Sequence, residues 1–146
     1  MKKSVKILLM SIGLFVSNHA FSAYGTFENM KATCYIFKNN QLHQQQSCIY
    51  SGMSGRDIED NTSTDIDQKE FILANGHKIK TTNNIKIAHN SERIVAKEMT
   101  VNQNKARIYY RSLSFKEISK LNADKSWNKT LVCYKSKQLD FCYITH

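Results

Sequence analysis

The sequence predicts a mainly β fold: a small antiparallel sheet, barrel or sandwich of about eight strands, stapled by two disulfides. Three observations carry the prediction. Short runs rich in aromatic and β-branched residues recur along the chain, separated by Asn, Asp, Gly and Ser. The four cysteines fall at spacings that suit hairpins better than metal sites. An Asn75-Gly76 pair divides two alternating runs, the strongest hairpin signal in the chain.

The elements follow in order. Residues 1–22 read as a signal peptide cut after Ser22. Lys2, Lys3 and Lys6 precede the ten-residue apolar run Ile7 to Val16, and Ala20-Phe21-Ser22 is a small-x-small site. Ten apolar residues are too few to cross a hydrocarbon core, which needs ~20. The address implied is periplasmic or secreted, with no transmembrane span after removal. A single β-rich domain over residues 23–146 would remain.

Thr33 to Lys38 and Ser47 to Tyr50 read as strands. Asn39-Asn40 can supply the left-handed turn between them. Cys34 and Cys48 are centred on Gln41, so this hairpin needs an odd loop or a bulge. Gly52 to Asp67 reads as a polar, acidic loop. Glu70 to Ala74 and His77 to Thr81 flank Asn75-Gly76, which suits a type I′ turn. Asn83-Asn84 reads as another turn. Arg93 to Val101 and Ala106 to Ser112 read as a further hairpin around Asn102 to Lys105.

Ser114-Phe-Lys-Glu117 matches a capping box, and Phe115, Ile118 and Leu121 recur every three residues. A short helix over residues 115–122 therefore competes with a strand. At the end of the chain, a turn at Lys137-Gln138 sets Tyr134 opposite Phe141 and Lys135 opposite Asp140. It also sets Cys133 opposite Cys142 on a non-hydrogen-bonded rung, where strands approach most closely. Local pairing, Cys34–Cys48 and Cys133–Cys142, is favoured. The rival joins Cys34 to Cys142 and Cys48 to Cys133.

The chain of 146 residues has a net charge of +9. Losing residues 1–22 removes three lysines and leaves 18 basic and 12 acidic residues. The balance is uneven, with half of all acids between Asp57 and Glu70. Asp57, Glu59, Asp60, Asp65 and Asp67 make this stretch the first candidate contact surface, aimed at a cationic partner. They lack the regular spacing of a calcium loop. The alternative is a basic face. Lys78, Lys80 and Lys86 alternate with isoleucines, and Arg107 and Arg111 flank Tyr109. Such a face suits an anionic envelope polymer or lipid, and nucleic acid is not expected in an exported protein. Trp127 is either a core cap or an exposed contact residue.

Catalytic signals are thin. Nucleophile elbows, P-loops, dinucleotide fingerprints and zinc-protease motifs are missing. His43, His77, His89 and His146 each stand alone in sequence. No catalytic residue, metal or cofactor is expected. The cysteine-bounded hairpins and the size resemble, in architecture only, small periplasmic β-barrel inhibitors of lysozyme. Ser51-Gly52 and Ser54-Gly55 lack the tyrosine that follows in the inhibitory loop of those proteins. The reading is a small exported binding protein without catalytic activity, an inhibitor or immunity protein against a lytic enzyme. The alternative is an envelope-associated protein holding an anionic polymer or lipid, and a secreted nuclease-type enzyme is the third class.

Overall fold

A computed structural model of the protein describes residues 21–146. Residues 1–20, and with them most of the expected leader, lie outside the described residues. The two local disulfides are present. The strands are β1 (Phe21–Lys38), β2 (Gln41–Glu59), β3 (Thr62–Leu73), β4 (Lys78–Ala88) and β5 (Arg93–Val101). They continue as β6 (Asn104–Lys105), β7 (Arg107–Ser112), β8 (Glu117–Ile118), β9 (Thr130–Lys135) and β10 (Asp140–Thr145). Their order in the sheet is β6-β5-β4-β3-β2-β1-β10-β9-β7-β8. The strand count exceeds the expected eight because β6 and β8 are two-residue pieces.

One residue explains why the sheet curls into a half-barrel. Ala106 alone separates β6, which pairs with β5, from β7, which pairs with β9. Successive Cα atoms are only ~3.8 Å apart. The chain can step from one end of the sheet to the other only if those ends approach each other. The expected hairpin of residues 93–112 is therefore two rungs deep, Thr100–Lys105 and Val101–Asn104, before β7 leaves for β9.

Strand alternation then sorts side chains onto two faces. The inner face carries a core of Tyr50, Phe71, Val101, Tyr134, Phe141 and Tyr143. Phe71 is its centre, with ring centroids 4.6 Å from Tyr143, 5.0 Å from Phe141 and 5.4 Å from Tyr50. A second core lies on the outer face of β1, β10, β9 and β7. There Tyr35, Phe37, Tyr109 and Leu131 pack with Phe115. Each disulfide staples one hairpin. Cys133 faces Cys142 with Cα atoms 4.0 Å apart, in the expected register with Tyr134–Phe141 and Lys135–Asp140. Cys34 and Cys48 are joined diagonally, opposite Gln46 and Ala32 respectively. A bulge at Ile36/Phe37 lies between them and the turn, where Asn39 and Asn40 both adopt positive φ.

Four local expectations are corrected. The acidic loop is β-hairpin, since residues 52–59 complete β2 and Thr62 opens β3. Its glycines mark close approach of strands rather than a loop. A Cβ on Gly52 would lie 2.0 Å from the Gln68 carbonyl oxygen, and one on Gly55 would lie 2.1 Å from that of Ala23. Asn83-Asn84 sits inside β4, opposite Asp67 and Ile66. At Asn75-Gly76 only Gly76 has positive φ, and its N–H donates to the Leu73 carbonyl. That is a three-residue loop with a left-handed glycine, not a type I′ turn.

The fourth correction concerns the helix. Phe115 takes φ 65° in a turn, and Glu117–Ile118 are β8. The helix α1 spans Lys120–Lys125, and its cap is Ser119, whose Oγ accepts from the Asn122 N–H. Tertiary packing decided the outcome. The Phe115 ring lies 5.7 Å from both Tyr35 and Phe37, a burial that a helical start at Ser114 would forgo. Among the described residues no helix is long and apolar enough to cross a membrane.

Candidate functional site

The inner face is not covered along its whole length. β10, β9 and β7 are short, whereas β2 and β3 run on past them. A cavity of about 450 Å³ opens where the cover stops. That size is within the range of ligand pockets, ~300–1,000 Å³. Tyr50, Tyr134 and Tyr143 line it from the core side. Ile108 and Tyr110 of β7 contribute one flank, and Asp67, Lys69 and Asn83 of β3 and β4 another. Trp127 and Asn128, from the 3-10 turn Trp127–Lys129, stand at the rim. The core-cap reading of Trp127 is overturned: the residue is 65% exposed.

Asp67 and Lys69 form an ion pair within this cavity. Their side chains are only 31% and 12% exposed. The Lys69 ammonium also lies 5.9 Å from the Phe27 and Tyr143 ring centroids, where the ring quadrupoles favour a cation. Burial pushes the hydroxyls of Tyr134 and Tyr143 well above the ordinary phenol value, with the nearby Asp67 charge adding to it. They remain protonated donors at neutral pH. The Asn83 Oδ1 is buried without a hydrogen-bond partner.

The other expected site residues divide. Strand alternation separates the acids: Asp65 and Asp67 share the inner face, while Asp57 and Glu59 have the opposite parity on β2. Asp60 occupies the exposed turn between β2 and β3. Asp65 pairs with Arg56 across the β2–β3 ladder. Glu59 accepts from Lys86 at 2.7 Å and from Thr62, which hold its carboxyl below the ordinary value. Among the described residues no three His, Cys, Asp or Glu side chains converge as a metal site requires.

The basic candidates do not form one surface. Lys78 and Lys80 share Glu70, at 3.2 and 3.1 Å. Five strands separate β4 from β7 in the sheet. On β7, Arg107 is held by Glu117 at 3.0 Å and stacks over Tyr109. Arg111 is 4% exposed. It donates to Tyr109 Oη and the Phe115 carbonyl, and faces Asp140 at 3.5 Å. Arg111 is thus a structural cation of the second core. The histidines are dispersed over β2, the two ends of β4 and the end of β10, and His146 bonds Thr33.

Sequence reasoning missed Tyr50, Lys69, Asn83, Tyr110, Tyr134 and Tyr143 as site residues. The available signal was a polar or tyrosine residue wherever alternation puts an inward position, as at Asp67, Lys69 and Asn83. No family model matches the chain, and neither the curated proteins nor the solved structures give a match.

Proposed function

We propose that this chain is a small exported binding protein with no catalytic step, and that it holds its ligand at the mouth of the half-barrel. One observation carries the reading: the single tryptophan stands exposed at the rim of a tyrosine-lined cavity. Trp and Tyr are the residue types in which binding energy concentrates. Export is supported by the two disulfides, which suit an oxidising compartment.

A protein partner of the inhibitor or immunity type is the second reading. Its support is Asp60, exposed at the far turn of the β2–β3 hairpin, where a cationic lytic enzyme could meet it. The polymer-binding reading has less support, because Glu70, Glu59, Glu117 and Asp140 already engage its cations.

The test uses the oxidised, exported chain as bait in envelope extract at low and high salt. Wild type is expected to retain its ligand at both salts, Trp127→Ala to lose it, and charge reversal at Lys78 and Lys80 to leave it. Equal recovery by Trp127→Ala and wild type would move the contact away from the mouth and overturn the reading.

A further inference from the structure

We infer that the cavity takes a neutral saccharide, the terminal ring of a short oligosaccharide stacked on Trp127. The inference rests on the binding reading above and names the ligand class of the same site. Three features converge on that class. First, the cavity already holds a balanced ion pair, Asp67 with Lys69, of which the lysine is the more buried. A charged ligand would compete with one member of that pair for the other, at a cost that is larger for the more buried Lys69. A neutral ligand leaves it intact.

Second, the lining is too polar for a purely apolar guest. Beside the tyrosine hydroxyls stand Asn83, Asn128 and Thr130. Sugars carry hydroxyls on several sides of one ring, so they can serve Asn128 and the tyrosines together. The phenols are suited to donate back, since they stay protonated at neutral pH.

Third, the rim carries an exposed aromatic side chain, Trp127. The indole π-face carries the negative part of the ring quadrupole. The C–H-rich face of a pyranose is the complementary partner: apolar enough to desolvate, yet edged by hydroxyls that reach the polar lining. Trp127 sits beside Asn128, so stacking and hydrogen bonding can act on the same ring.

The chain has one tryptophan, so its emission reports this site alone. The exported, oxidised protein is titrated with chitotriose, maltotriose and cellotriose. At least one is expected to give a saturable blue shift that does not change between low and high salt. Asn128→Ala keeps the reporter and is expected to bind about tenfold more weakly. Trp127→Tyr, followed by calorimetry, is expected to weaken binding as well. If all three sugars leave the emission unchanged at tens of millimolar, the saccharide inference is overturned. So is it if only an acidic oligosaccharide binds, with affinity lost in salt. A protein captured through Trp127 by a chain that ignores the sugars would sink the saccharide and leave the binding reading standing. Loss of both would sink both.

Discussion

Asp140 is the residue on which the outer core depends. Its carboxylate accepts from Tyr109 and faces both Arg111 and Lys135, while its side chain is only 9% exposed. Removing it would leave the buried Arg111 guanidinium without its counter-ion. Asp140→Ala is therefore expected to cost about 3–5 kcal/mol, read from the urea midpoint. Arg111→Met combined with Asp140→Leu should recover much of that loss, because it removes both charges together. An unchanged midpoint for the single variant would show that the network adds no stability.

The buried tyrosines set an alkaline limit. Burial raises the phenols of Tyr109, Tyr134 and Tyr143 above their ordinary value of 10. A folded-state value above the unfolded one gives stability that is fully present below pH 10. That stability is lost as pH rises toward the folded values. Above pH 10, the phenolate absorbance of these groups should appear together with loss of near-ultraviolet circular dichroism. Their ionisation near pH 10 in a chain that stays folded would contradict the assignment. The signal was partly legible: Tyr134 and Tyr143 each sit beside a cysteine predicted to be paired, but only the half-barrel shows that they face a cavity.

At the scale of elements, legibility tracked whether one face of a strand is covered. The β9–β10 hairpin was readable to the rung, because alternation, turn and cysteine spacing agree there. The β2–β3 arm was misread as a loop because its inner face is uncovered beyond the cavity. Polar Ser54, Arg56 and Asp65 occupy positions that would otherwise be apolar. The same cause hid Asn83. Gly52 gives this arm a sharp test. Adding a methyl would drive it into the Gln68 carbonyl on the neighbouring strand, so Gly52→Ala should separate β2 from β3. We expect a loss above about 2 kcal/mol and faster amide exchange over residues 50–70. A neutral result would mean that the strands give way at little cost. The short helix carries a milder prediction: Ser119→Ala removes the side-chain cap and should cost about 1 kcal/mol.

For the whole molecule, the two disulfides weigh heavily against a typical total stability of ~5–15 kcal/mol. They close loops with sequence separations of 14 and 9. In the chain-entropy model such loops contribute about 3 kcal/mol each. Reduction is expected to lower the urea midpoint sharply without changing the native circular dichroism of whatever fraction remains folded. An identical midpoint with and without reductant would show that the sheet needs no staples.

The place of β1 in the sheet also dictates an order of events. β1 pairs with β10, so Ala32 meets Thr145 and Cys34 lies beside Tyr143. A chain emerging from its N-terminal end can form the β1–β5 meander early, but that sheet has an open edge at β1 until residues 140–145 arrive. Phe71 and Tyr50 would meanwhile lack Phe141 and Tyr143. Contacts this distant in sequence form slowly and leave half-built sheets prone to sticking. A chain of this topology is suited to being kept unfolded until it is released whole and then folding in one late step, with an oxidant at hand to close the staples.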